Sequence, residues 1–310
     1  METQSIPDKI LMIRPAAFGF NTETADTNKF QQPTAQAPAQ AIADLAIQEF
    51  DNMVDILRKH DVDVLVLEDS PQPVKPDAVF PDWLSFHANG HVILYPLAAP
   101  SRRICRSKDI LTQVEAQFEV KQYHHFEQYE ANKRFLEGTG SIVFDREHKV
   151  AYACSSPRTD ATLLAKLCKE IEYQPVSFRA VDEQEQEIYH TNMMMMVGDT
   201  YAVVCMDSVL DGADRLLLTQ ILRTTKKDII EISLAQVAAF AGNMLQVRSK
   251  SGEKYVIMSE SAKKVLNPRQ LERLESHNPI LSIPIPTIQM YGGGSVRSMM
   301  AEIYLNPLDL

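Results

Sequence analysis

The chain of 310 residues reads as an α/β protein assembled from repeated units, on three observations. Four segments each hold two apolar, β-prone runs on either side of a short polar turn. After each comes a polar loop and then a helical pattern, and a further strand pattern stands near each end of the chain. The turn centres lie about 52 to 58 residues apart, and a repeat of that length fixes an architecture because each unit must bury its apolar face against a neighbour.

Taken in order, the first strand runs near residues 9 to 14 and is followed by Asn21 to Gln40, rich in Thr, Gln, Ala and Pro. That stretch is expected to be a surface loop, with a lid over a site as the alternative. A helix is expected from Ala41 to His60. The hairpins are expected over 84–97 around Ala88-Asn89-Gly90, over 141–156 around Asp145 to His148, over 191–208 around Gly198-Asp199, and over 243–261 around Ser251-Gly252. Their helices are expected over Ser107 to Gln117, Arg158 to Tyr173, Gly212 to Thr225, and Ser261 to Ser276, with Pro268 cutting the last into two pieces. A closing strand near 296 to 305 meets the N-terminal one, which favours a ring over an open stack and one domain over residues 1–310.

The formal charge of -10 argues against nucleic-acid and anionic-membrane partners, which need a basic surface to release counterions. A small ligand fits better, and a homo-oligomer is left open. Cys105, Cys154, Cys168 and Cys205 show no C-x-x-C spacing and read as free thiols, without a disulfide framework or zinc site. The N-terminal run before Arg14 is too short for a signal-peptide core or a membrane span, so a cytoplasmic protein is expected. Met193 to Met196 read as a buried strand and not as a metal site, because alternate residues of a strand face opposite ways.

The candidate chemistry lies in short segments at the heads of the units: FPDW with Asp82, LEGTG with Glu137, YHTNMMMM with His190 and Asn192, and YGGGSVRSMMAEIY with Ser298. Alone, Asp82 is a turn aspartate, Glu137 a surface glutamate and His190 a structural histidine. GGGSVRS is also a conceivable phosphate loop, but it lacks the Gly-Lys-Ser/Thr ending and a following helix.

Together these segments, from Ile13-Arg14-Pro15 to Glu302, resemble the guanidine-modifying superfamily, the penteins: arginine deiminases, amidinotransferases and dimethylarginine hydrolases. The H-T-N wording resembles the citrulline-hydrolysing branch. The resemblance implies an α/β propeller of five pseudo-repeated ββαβ units around a central channel. It also implies an amino-acid substrate carrying a guanidino or ureido group, and no metal or organic cofactor. By the same resemblance Asp82 grips the substrate nitrogens, Glu137 orients His190, and His190 is the general acid and base. Asn192 stands where the family has an acid and is expected to offer a donor to a ureido oxygen. Arg102, Arg158 and Arg297 are the candidates for the substrate carboxylate, and Gly293 and Gly294 for close approach of ligand to backbone.

The family carries a cysteine nucleophile where this chain has Ser298. A serine hydroxyl is the weaker nucleophile at neutral pH unless a base removes its proton, so impaired turnover is expected. Three readings stand at this point: a Cys-to-Ser trap, a natural member that binds without turning over, and a member that uses serine.

Overall fold

A computed structural model describes residues 5–32 and 37–308. Five three-stranded sheets make up the molecule, and four of them follow one plan. In each of the four, an antiparallel hairpin is joined by a third strand parallel to the hairpin's second strand. Leu84–His87 pairs with His91–Leu94, Val143–Asp145 with Val150–Cys154, Met195–Val197 with Tyr201–Val204, and Leu245–Arg248 with Lys254–Ser259. The third strands are Gln122–His125, Gln174–Phe178, Asp228–Glu231 and Ile280–Ile283.

The fifth sheet is assembled from both ends of the chain. Lys9–Arg14 lies at its centre, antiparallel to Ala301–Glu302 and parallel to Asp63–Glu68. Each sheet touches the next: Ala301–Glu302 lies against Leu84–His87, which meets the turn Gly138–Ser141. Val143–Asp145 and Leu245–Arg248 both meet Met195–Val197, and Lys254–Ser259 meets the turn Val296–Met299. The contacts thus run around a ring.

Helices cover the outside. Ala39–Lys59 buries Ile42, Ala46, Phe50, Met53 and Leu57, the 3.6-residue stripe that its sequence dictates. Lys108–Glu115, Ala161–Ile171 and Gly212–Thr224 begin at Ser107, Asp160 and Asp211, whose side chains accept from the first turn's N–H groups. Such a cap contributes about 1 kcal/mol. The helical pattern around Pro268 does split, into Glu260–Val265 and Pro268–His277, with Asn267 capping the second piece.

Three expectations change in detail. Ser298 lies in a short 3-10 turn, Val296–Met299, and the closing strand is confined to Ala301–Glu302. Met193 to Met196 are all buried, but Met193 belongs to the turn Thr191–Met193 and only Met195 and Met196 pair in a strand. In the stretch Asn21 to Gln40, residues 33–36 lie outside the described residues, and residues 21–32 lie at the surface with Thr22, Glu23, Asp26, Lys29 and Gln32 exposed and one face turned inward. There Asn21, Thr24, Asn28 and Gln31 are buried through their hydrogen bonds. Among the described residues no helix is long and apolar enough to cross a membrane, and the four cysteines are free and buried.

Candidate active site

At one end of the ring the heads of the units converge on a narrow pocket with a cavity volume of about 20 Å³, room for about one water. Asp82, Arg102, Arg158, His190, Gly294 and Ser298 line it, together with Asp77, Phe80, Tyr189, Gly292, Thr24 and Asn28. Six of the expected site residues therefore face one cavity: Asp82, Arg102, Arg158, His190, Gly294 and Ser298.

Glu137 sits behind the wall with no exposed surface. One oxygen accepts from the Ala98 N–H at 2.8 Å; the other accepts from Arg102 Nη1 at 2.6 Å and from His190 Nε2 at 2.8 Å. Burial opposes ionisation of Glu137, but Arg102, Arg158 and the His190 bond outweigh it and hold the carboxyl well below its usual range. An ionised carboxylate only accepts, so the proton of the neutral imidazole is on Nε2. Nδ1 is left as the basic nitrogen, 4.0 Å from Asp82 Oδ2. Burial holds the imidazole below its ordinary value against the opposing pull of Glu137 and Asp82. His190 is thus an oriented base with its free lone pair toward Asp82.

Asp82, Glu137 and His190 bring ligand-type atoms within 4.8 Å of one another, a spacing that could hold a metal ion. The cation already among them is Arg102. Its Nη2 donates to Asp82 at 2.5 Å, its Nη1 to Glu137, and its Nε lies 3.5 Å from Asp77. Arg158 differs: Nε and Nη2 donate to Thr27 Oγ1 at 2.9 and 2.6 Å, Nη2 also to the Thr24 carbonyl, and the guanidinium stacks on Tyr189. It holds the 21–32 segment over the pocket. Arg297 turns away, to Glu302 at 2.6 Å and the Met300 carbonyl at 2.8 Å.

Asn192 is buried beside the pocket wall. Its NH2 donates to the Thr139 carbonyl at 3.1 Å, and its Oδ1 has no partner. One of the two N–H groups expected to serve a ureido oxygen is therefore already engaged. Gly292 and Gly294 pack on the Phe80 ring, and Gly293, at φ +62°, faces Asn28 and Gln31 of the 21–32 segment. The carbonyl of Gly293 accepts from Tyr189 Oη at 2.7 Å. Ser298 Oγ accepts from Asn243 Nδ2 at 3.2 Å and from the Ser295 N–H at 3.4 Å, the latter capping the 3-10 turn.

Phe80 and Tyr189 were not singled out in the sequence as site residues, and the 21–32 segment takes the place given there to a lid over a site. Asn28 donates to the carbonyls of Gly292 and Gly293, a role hidden in a polar stretch that reads as loop.

A pH dependence follows. Glu137 and His190 both bind protons more weakly when folded, so each adds stability that is complete above its unfolded value and lost as pH falls through its folded one. Melting temperature is expected to fall on acidification below the ordinary histidine value of 6.5 and again below the ordinary glutamate value of 4.5. Glu137→Gln should make the second fall shallower in melting curves recorded across that range, leaving the part owed to Asp160, Asp199, Asp228 and Glu302. An equally steep acid limb in this variant would exclude Glu137 as its cause.

The sequence model of the family described as N,N dimethylarginine dimethylhydrolase, eukaryotic, matches residues 14–305. A search of curated proteins by sequence gives no match. Among solved structures, apo ArgZ, an arginine dihydrolase from the ornithine-ammonia cycle in cyanobacteria, is similar over 97% of this chain at 18% identity and TM-score 0.75. This chain spans only 41% of that protein's length. The N-terminal domain of ArgZ, as a cysteine-to-serine mutant bound to substrate, is similar over 96% of this chain and 99% of that domain, at 18% identity and TM-score 0.73. SxtG, an amidinotransferase from Microseira wollei in the saxitoxin biosynthetic pathway, is similar over 98% of this chain and 96% of its own, at 15% identity and TM-score 0.69. At these identities the solved structures speak for the fold alone.

Proposed function

The chain belongs to the N,N-dimethylarginine dimethylhydrolase family of the pentein superfamily of guanidine-modifying enzymes, and from that membership we propose that its pocket binds an amino acid ending in a ureido or guanidino group. The reading rests on one observation: Asp82, His190 and Ser298 face the same buried cavity, with Glu137 orienting His190 from behind.

The chemistry that these groups support is hydrolysis through a covalent intermediate. The side chain at 298 attacks the central carbon, the bond to one nitrogen breaks, and His190 gives that nitrogen its proton. Water then adds to the intermediate and loses a proton to His190, and the 298 side chain is released. Citrulline and water would give ornithine and carbamic acid, which falls apart into ammonia and carbon dioxide; arginine and water would give citrulline and ammonia. Citrulline is the first choice because Asp82 already carries the Arg102 guanidinium, and a neutral ureido group competes with that cation less than a second guanidinium does. Arg158 would meet the substrate carboxylate in exchange for Thr24 and Thr27.

Ser298 makes turnover by the chain as it stands weak. A hydroxyl needs a base as it attacks, and the partners of Ser298 Oγ are two N–H donors. The same bonds favour a second reading, a ligand-binding member in which Ser298 serves as a turn cap. Ornithine and ammonia release from citrulline, and citrulline formation from arginine or N,N-dimethylarginine, should rise about 100-fold or more in Ser298→Cys, given the higher nucleophilicity of a thiol. Citrulline should also raise the melting temperature of the unaltered chain. If Ser298→Cys is inert while citrulline still stabilises the protein, the binding reading holds; with neither effect the substrate class is wrong.

A further inference from the structure

Asn243 completes a series that the motifs leave open. Asp82, Glu137, His190, Asn243 and Ser298 recur at intervals of 53 or 55 residues, one for each sheet of the ring. Asn243 is fully buried at the head of the fourth hairpin, two positions before the strand Leu245–Arg248.

Its side chain holds residue 298 from two sides. Oδ1 accepts from the N–H groups of Arg297 at 3.0 Å and Ser298 at 3.4 Å. Nδ2 donates to Ser298 Oγ at 3.2 Å and to the Asn192 carbonyl at 3.0 Å, beside the turn that carries His190. The network itself decides the orientation of the amide. Reversed, it would set its oxygen against the Asn192 carbonyl and its NH2 against two N–H groups.

We propose that Asn243 is the positioning residue for the nucleophile position: it fixes the backbone of residue 298 through its oxygen and, through its N–H, holds the 298 side chain in one rotamer and favours its anionic form. A donor aimed at an atom that becomes negative stabilises the charged state, and does so more strongly in a buried site than in water. The inference rests on the reading of residue 298 as the nucleophile position. The charged and titratable groups around that position are Asp77, Asp82, Arg102, Arg158, Tyr189 and His190, all on the same pocket; Arg297 is turned to Glu302. Substitution of Asn243 leaves each of these in place.

The test uses the full chain carrying Ser298→Cys and needs no substrate. Alkylation of the introduced thiol by iodoacetamide is followed across pH by mass spectrometry of the peptide containing residue 298. The native cysteines are buried, with the thiols of Cys105, Cys154 and Cys168 pushed up to about 12. The midpoint for residue 298 is expected below the ordinary thiol value of about 8.5. Adding Asn243→Leu, which removes the donor without adding a charge, should raise the midpoint by about one unit or more. A role confined to holding the loop would leave the midpoint where it was.

An ordinary midpoint in Ser298→Cys alone overturns the proposal, whether or not the Asn243 variant folds. So does an unchanged midpoint in an Asn243→Leu variant that melts cooperatively. A shifted midpoint without turnover of citrulline or arginine upholds the role of Asn243 and rejects the substrate assignment; turnover without a shift does the reverse.

Discussion

Arg102→Met is expected to lower the stability of the fold by about 3 to 5 kcal/mol, the usual cost of removing one partner from a buried charge cluster. Arg102 is 4% exposed and lies among three carboxylates, with Asp82 and Glu137 in direct hydrogen bonds and Asp77 at 3.5 Å. Methionine keeps most of the volume and none of the donors. The loss is electrostatic: three buried acids would share Arg158 alone, which lies 3.6 Å from Glu137. Arg102→Lys should recover only part of it, because an ammonium is a single point charge that cannot present the guanidinium's fork to Asp82 and Glu137 together. Denaturant unfolding at neutral pH measures both variants.

The sign of the pH effect makes the test sharper. Without Arg102 the affinity of Asp77 and Glu137 for protons rises in the folded state, because Arg102 lowers it in both. A carboxyl with a raised folded value contributes stability that is present below its unfolded pKa and lost as pH rises through the folded one. The deficit of Arg102→Met relative to the unaltered chain should therefore shrink toward pH 4. A deficit under about 1 kcal/mol at neutral pH would place Arg102 with the surface pairs, where a single ion pair contributes little.

What could be read from the sequence divides along physical lines. The four hairpins were legible because alternating apolar residues flank turn formers such as Asn89-Gly90, where both residues take positive φ. The helices were legible from their stripes and caps. The third strands were not: QPVSF at 174–178 carries a proline and QYHH at 122–125 is polar, since each has one neighbour in its sheet and little apolar surface to hide. The buried face of residues 21–32 was hidden for a related reason. Its burial rests on side-chain amides and hydroxyls, such as Gln31 on the Tyr291 carbonyl and Thr24 on Gln31, and a polar composition reads as surface. VRSMMAEIY reads as a strand by hydropathy, but the Ser295–Ser298 cap and the Arg297–Glu302 pair draw its start into a 3-10 turn. Asp82, Glu137 and His190 were found by motif, while the interval that also marks Asn243 lay in the same numbering.

The catalytic consequence of local backbone form is clearest at Gly140. In the Ser298→Cys background, Gly140→Ala is expected to lower kcat/KM roughly 1,000-fold, as much as His190→Gln does by removing the general acid and base. A Cβ at position 140 would run into Nδ1 and Cε1 of His190, the side of the ring that carries the basic nitrogen. Glu137 holds the opposite nitrogen at 2.8 Å, so the ring cannot retreat without breaking that bond. The methyl group either covers Nδ1 or tilts the imidazole off Glu137, and in both cases a proton can no longer be exchanged with a ligand in the pocket. Citrulline should still raise the melting temperature of Gly140→Ala, because Asp82 and Arg158 are untouched. Activity within tenfold of the parent would show that His190 works from another position, and with it the assignment of Nδ1 as the working nitrogen would fall.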